Sequence, residues 1–263
     1  METLTLVFDD PLGAFLKARQ RPFTCRCDGK ATVKHLIESA GPPHTEVGAI
    51  RVAGRAVGFD HVPTAGQSLI VEAIAPPWDV LSPCLLRPQP LKALRFVADV
   101  NVGKLALLLR MAGLDTAYGP RWADEDLAGL AEKEGRIVLT KDSALLKRRQ
   151  VVFGRYVRAV LPDDQLVEVL GLFGIGRAPA PFSRCLRCNT PLAPVAKTAI
   201  DHRLEPKTRL YFDRFTICPT CNRIFWQGSH RQAMGRRLRH IGLPVAADTA
   251  ASDPSGKTVS EAG

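Results

Sequence analysis

Polar and apolar residues alternate in Thr3-Leu4-Thr5-Leu6, a run that continues into Val7-Phe8, the two-residue period of a strand with one buried face. A second strand is expected near 23–27. The pattern then lengthens to three and four residues, placing Val33, Leu36, Ile37 and Ala40 on one face of a helix that Gly41 stops. Ala-Ile-Arg-Val-Ala-Gly-Arg-Ala-Val reads as a hairpin turning at Ala53-Gly54, and Ser-Leu-Ile-Val-Glu-Ala-Ile as a last strand. A first domain is therefore expected over 1–75. Residues 76–90 carry five prolines in fifteen positions, which rules out helix and sheet interior and predicts a semi-rigid linker.

From 91 to 176 the periods interleave. Leu-Arg-Phe-Val-Ala-Asp is a buried strand. A helix follows with Leu105, Leu108, Leu109 and Ala112 spaced for burial and ends at Gly113. Asp-Thr-Ala-Tyr is a short strand, and Asp-Glu-Asp-Leu-Ala-Gly-Leu-Ala-Glu-Lys-Glu a helix closed by Gly135. Arg-Ile-Val-Leu-Thr is a strand, Asp-Ser-Ala-Leu-Leu-Lys-Arg-Arg a helix, Arg-Tyr-Val-Arg-Ala-Val-Leu a strand, and Asp-Gln-Leu-Val-Glu-Val-Leu-Gly-Leu-Phe-Gly a last helix. Alternating strand and helix predicts an α/β domain with a parallel sheet. Residues 177–244 carry two cysteine pairs, and the small, polar, nonperiodic tail 245–263 is expected to be disordered.

The chain of 263 residues has a net charge of +10, a balance that favours an anionic partner, nucleic acid or a membrane surface. Residues 177–244 hold 13 Lys and Arg against 3 Asp and Glu, a difference of +10 that equals the whole net charge. The N-terminus lacks a basic n-region and a long apolar core, so no signal peptide is expected. Nor does any stretch approach the ~20 apolar residues of a membrane span. A cytoplasmic protein is expected, in which seven cysteines, four of them in close pairs, serve metal binding and not disulfides.

Cys185-Leu-Arg-Cys188 and Cys218-Pro-Thr-Cys221 can each point two thiolates at one tetrahedral Zn²⁺, a closed, structural site. The 29 residues between them exceed the usual ribbon spacing and are expected to hold a hairpin. After the second pair, Ile-Phe-Trp-Gln-Gly-Ser-His precedes a basic run up to Arg239. Aromatics stack on bases while Arg and Lys hold phosphates, so Arg223, Trp226 and His230 are candidate RNA contacts. The alternative is that Phe225 and Trp226 fill the ribbon's small core.

In an open parallel sheet, ligands bind beyond the carboxyl ends of the strands. Asp99 closes one strand and Asp142 follows another. Asp124 opens the helix between them, with Asp126 two positions on. Carboxylates converging there repel one another unless a cation lies between them, and hard oxygen ligands suit Mg²⁺ or Mn²⁺. Asp124 and Asp142 also precede helices, where Asp is a favoured cap. Asp99 ends a buried strand and has less excuse. Lys104, Arg110 and Lys141 are placed to hold a substrate backbone, or are solvated helix residues.

The phrases FVADVNVGKLALLLRMAGLDTAY and DEDLAGLAEKEGRIVLTKDSALLKRR, then the cysteine pairs and FWQGSH, resemble the Mut-seven C-terminal RNase family. The resemblance covers roughly 94–234 and implies a PIN-like nuclease fold with a zinc ribbon. It carries the family's acids to Asp99, Asp124 and Asp142, with Asp126 as a neighbour. The family's Thr-Arg-Asp phrase stands here as Thr140-Lys141-Asp142. In front, the order strand, strand, helix, strands is that of a β-grasp and resembles the ubiquitin-like domain of the sulfur-carrier type. It runs straight into Ala75-Pro76-Pro77 with no Gly-Gly terminus, so a module that docks a protein partner is expected, not a carrier. Cys25, Cys27 and Cys84 are expected to be plain thiols. The leading expectation is a metal-dependent ribonuclease. A non-catalytic RNA-binding adaptor is the alternative.

Overall fold

The computed structural model describes residues 3–16 and 22–244; the tail 245–263 lies outside the described residues. The first region comprises β1 (Thr3–Phe8), α1 (Asp10–Gly13), β2 (Phe23–Arg26), α2 (Val33–Ala40), β3 (Val47–Val52), β4 (Arg55–Ala56) and β5 (Ser68–Ala73). Its sheet has the order β2-β1-β5-β3-β4, with β1 and β5 parallel and the other pairs antiparallel. That is the expected ubiquitin-like β-grasp. The alternation of β1 puts Leu4 and Leu6 into the core, where they meet Val33, Ile37 and Ala40 of α2. Each fully buried Leu or Ile contributes roughly 1.5–3 kcal/mol relative to exposure. Thr32 caps α2 by accepting from His35 N. Gly41 ends it with φ of 140°, where a Cβ would lie 1.9 Å from the Phe15 carbonyl oxygen, so only glycine fits.

The proline-rich segment has no helix or named strand, as expected, yet it is anchored at several points, with Val80, Leu86 and Arg87 buried. Trp78 N donates to Leu172 O and Leu91 N to Val80 O. Val80 is in the core of the second region. Arg87, 2% exposed, donates to the carbonyls of Val47, His44 and Thr45 and lies over the Trp78 and Phe153 rings.

The second region comprises β6 (Phe96–Ala98), α3 (Gly103–Met111), β7 (Thr116–Tyr118), α4 (Asp124–Glu134), β8 (Ile137–Thr140), β9 (Gly154–Tyr156) and α5 (Pro162–Leu172). All strand pairs are parallel and the order is β7-β6-β8-β9. Both faces are buried. Phe96, Ala98, Ile137 and Leu139 face α3 and α5, while Val97 and Val138 face α4. This is why these strands read as apolar runs without alternation.

Two expected elements differ. Residues 142–149 do not form the α-helix that their composition suggests. They make a turn and a 3-10 segment, Leu145–Lys147. Asp142 Oδ1 accepts from Ala144 N at 2.7 Å, fixing an Asx turn, and Leu145 and Leu146 are both buried in the short segment that follows. The strand expected over Arg-Tyr-Val-Arg-Ala-Val-Leu pairs only through β9. Beyond Val157, the N–H groups of Arg158 and Ala159 donate to the Glu168 carboxylate, so a side chain takes the place of a strand partner.

The third region comprises β10 (Ala193–Val195), α6 (Lys197–Ile200), α7 (Pro206–Tyr211), β11 (Phe215–Ile217), β12 (Ile224–Trp226) and α8 (Ser229–His240). Its three strands are antiparallel, consistent with a zinc ribbon. The long spacer between the cysteine pairs holds the expected antiparallel pair, β10 with β11, whose connection carries the two short helices α6 and α7, and the basic run up to Arg239 is the helix α8. Leu238 and Leu243 of this region join the core of the α/β region.

Candidate active site and metal centre

The sheet order reverses between β6 and β8. The chain passes from β6 outward to β7, then returns to place β8 on the other side of β6. Such a switch point opens a crevice at the carboxyl ends of the strands. Asp99 and Asp142 leave the sheet there, from adjacent strands. Asp99 is 6% exposed. Its carboxylate accepts from Val100 N, Asn101 Nδ2 and Thr140 Oγ1. Asp142 N donates to the same Thr140 hydroxyl at 2.9 Å, so Thr140 joins the two acids. Asn101 closes the network, with its Oδ1 accepting from Lys141 N at 3.0 Å. At the neighbouring strand end, a Cβ on Gly103 would lie 2.5 Å from Tyr118 Oη, so the start of α3 packs directly on that ring.

The other predicted acids stand apart from this network. Asp124 is the first residue of α4, with Oδ2 3.7 Å from Arg148 Nη2. Asp126 Oδ2 accepts from Ala123 N at 3.0 Å, which is the reach-back half of a capping box. Among the described residues, no three carboxylates bring their oxygens within metal-binding distance of one another. Asn101 was not singled out from the sequence, though it stands two positions after Asp99. Thr140 was named only as the first residue of the Thr-Lys-Asp phrase, which gives its hydroxyl no role.

The predicted backbone-holding cations divide. Lys104 is exposed on α3. Lys141 Nζ donates to the carbonyls of Arg158 and Ala159, keeping its charge at the crevice without a carboxylate partner among the described residues. Arg110 is corrected. It is 2% exposed and donates to Thr116 O, Leu186 O and Arg187 O, clamping the first cysteine loop to the sheet. Burial lowers its pKa, with the nearby thiols and Asp115 opposing.

The four cysteines come together as their spacing predicts. The Sγ atoms of Cys185, Cys188, Cys218 and Cys221 all lie within 4.8 Å of one another, and Cys185 Sγ is 3.7 Å from Cys221 Sγ. Tetrahedral Zn–S bonds of ~2.3 Å imply S···S separations of about 3.8 Å. Each loop is Cys-x-x-Cys-Asn, and each Asn takes positive φ, 64° at Asn189 and 58° at Asn222. Asn189 N donates to Cys185 O and Asn222 N to Cys218 O. Asn189 also ties the cluster to the sheet, accepting from Thr116 N and donating to Asp115. Burial raises Asp115, but Arg136, Asn189 and Arg184 outweigh it and hold the carboxyl below its usual range. The Arg223 N–H pulls the Cys221 thiol down to about 7.

Beside the cluster, β11, β12 and the start of α8 enclose a groove of about 600 Å³ lined by Arg187, Arg214, Arg223, Phe225, Trp226 and His230 among others. Arg187, Arg214, Arg223 and His230 are exposed and Trp226 is 37% exposed, so Trp226 does not serve only as ribbon core. The residues nominated as RNA contacts in this region share one groove.

A family model described as the Mut7-C RNAse domain matches residues 94–238, and one described as Mut7-C ubiquitin matches residues 1–78. No curated protein and no solved structure matches the chain.

Proposed function

We propose, on the premise that this chain belongs to the Mut7-C RNase domain family, that it is a PIN-like, metal-dependent ribonuclease of the cytoplasm that hydrolyses RNA phosphodiester bonds. The observation that carries the reading is that two acids leave adjacent strands at the switch point, with Thr140 Oγ1 donating to the Asp99 carboxylate and accepting from the Asp142 main-chain N–H. A structural cap needs no second acid beside it. Two carboxylates facing the path of a polyanion need a cation between them.

The donor set fits Mg²⁺ or Mn²⁺. Such ions bind through one or two carboxylates, with waters and substrate phosphate completing the shell, so a tight three-carboxylate cage is not required. Asp142 keeps Oδ2 outside its turn bond. Asp99 accepts three hydrogen bonds of the roughly four that a carboxylate takes. Asp99 and Asp142 would hold the ion. When bound, the ion supplies a water of lowered pKa and neutralises charge on the phosphodiester.

The chain's own residues do the rest. Thr140 and Asn101 donate to Asp99 and fix its orientation. Lys141, bonded only to carbonyls among the described residues, leaves positive charge beside the scissile phosphate. The four thiolates hold Zn²⁺, and the basic aromatic groove beside them binds RNA. Exposed Arg side chains meet phosphates, and Trp226 stacks on a base.

The test is cleavage of mixed cellular RNA with Mg²⁺, Mn²⁺ or neither, for the parent and Asp142→Asn. The reading requires metal-dependent cutting that the variant loses. Tight, salt-sensitive binding without cutting by either protein would leave only an adaptor.

A further inference from the structure

The ubiquitin-like domain is fixed to the edge of the nuclease sheet by buried polar contacts. Glu46, 1% exposed, accepts from Tyr156 N at 2.7 Å, Arg155 Nη1 at 2.8 Å and Arg158 Nη2 at 3.0 Å. His44 Nε2 lies 2.9 Å from Val151 O, and Lys147 Nζ donates to Glu38 O. Arg158 also reaches Pro11 O at 3.1 Å. A surface that only awaited a partner protein would not bury a carboxylate against its own neighbour.

This docking brings Phe15 to the acidic end of the sheet. The Phe15 ring meets Tyr156 edge-on at 5.2 Å, with the Arg158 guanidinium 5.3 Å from its centroid. Its backbone is seated on Gly41, where any side chain would strike the Phe15 carbonyl. A cleft of about 380 Å³ lies between the two domains. Ala14 and Phe15 line one side, and Lys141, Asp142, Ser143, Tyr156 and Arg158 the other.

We propose that the ubiquitin-like domain forms one wall of the phosphodiester cleft and restricts it to single-stranded RNA, with Phe15 the specificity-determining contact. The cleft has room for about one nucleotide, near the lower end of small-ligand pockets. A base held in a duplex cannot enter, whereas a splayed base packs on an aromatic ring backed by a guanidinium. Lys141 provides the positive charge for the phosphate. The proposal rests on the nuclease reading for what happens at Asp142, and not for the wall itself.

The experiment uses the full chain carrying Asp142→Asn, which holds RNA uncut, and a short oligonucleotide containing 4-thiouridine, single-stranded or in a duplex. Photo-crosslinked residues are located by mass spectrometry. Single-stranded RNA is expected to crosslink within residues 10–16, and the duplex is not. Phe15→Leu, which keeps bulk but no π face, should weaken single-strand binding about fivefold or more at unchanged melting temperature. Phe15→Ala should do the same if Leu packs as a substitute. Crosslinks confined to the ribbon groove, or equal yields from duplex and single strand, overturn the proposal whether or not the parent cuts RNA. Crosslinks within 10–16 from a protein whose parent cuts nothing uphold the wall and remove the nuclease reading.

Discussion

Replacing Glu46 tests the joint on which the cleft depends. In Glu46→Ala, three donors lose one acceptor. Arg155, with a side chain 13% exposed, loses its 2.8 Å partner and, among the described residues, keeps Glu168 at 3.8 Å. Burial already lowers the Arg155 pKa, ahead of the opposing pull of Glu46, so the cation is poorly hydrated where it stands. Breaking a buried pair by removing one partner costs about 3–5 kcal/mol. Arg158 is 32% exposed and recovers water, so its share is small. The lost Tyr156 N–H bond adds to the cost, and the distant Glu168 offsets part of it. The expected total is about 3 kcal/mol. Because Glu46 spans two domains, the loss should appear as lost cooperativity, with urea unfolding splitting into two transitions and the ubiquitin-like domain melting first. Tryptophan fluorescence reads this, since Trp78 lies at the junction, near Arg87 and Phe153. Glu46→Gln, which retains one acceptor oxygen, should lose less. A single transition shifted by under about 1 kcal/mol would refute the account of the docked domain.

The remaining predictions concern the other sites. The purified chain should carry one Zn²⁺, measured by metal analysis. Cys218→Ser should lose it, together with much of the global stability, because Leu238 and Leu243 of the ribbon region sit in the main core; a metal-free protein of unchanged melting temperature would count against a structural ion. Acidification should release the ion, since protons compete for the thiolates that hold it; a zinc content that does not fall with pH would count against thiolate ligation. Arg223→Ala should reduce the salt dependence of RNA binding by about 0.7 in slope, and Trp226→Ala should cost about 1–3 kcal/mol with the slope unchanged; wild-type binding by both would remove RNA from the groove. Asp115, held below its usual range, stabilises fully above its unfolded pKa of ~3.9 and loses that contribution as pH falls through its folded value. Asp115→Asn should therefore show a flatter stability profile at acid pH, and identical profiles would refute the Arg136–Asp115 pairing as the cause.

Local chemistry determined much of what the sequence disclosed. The β-grasp followed from Leu4 and Leu6 alternating before a helix that Gly41 stops, and the parallel sheet from apolar runs alternating with helical periods. The cysteine cluster followed from two pairs, since a two-residue gap sets the bite of a metal loop. These signals are short-range, so one sequence suffices to read them. Asp99 and Asp142 were legible as strand-end acids, and Thr140 as part of the Thr-Lys-Asp phrase, but the bond from its hydroxyl to Asp99 was not, because the two residues are distant in the chain. Arg110 looked like a phosphate contact because it falls in the last turn of an amphipathic helix, where cations are usually solvated. Only packing decided that it turns inward to the cysteine loop carbonyls. The run 142–149 favoured a helix by composition, and the turn that the Asp142 side chain fixes by accepting from Ala144 N stands in its place. The proline-rich segment was legible as neither helix nor strand, but not as the strap whose Arg87 holds the carbonyls of His44, Thr45 and Val47. Glu46 carries no signal in its local sequence. Its burial against Arg155 and Arg158, more than a hundred residues away, and the cleft that follows from it depend on contacts between residues distant in the chain. Local period and composition cannot encode such contacts, so tertiary structure alone decided them.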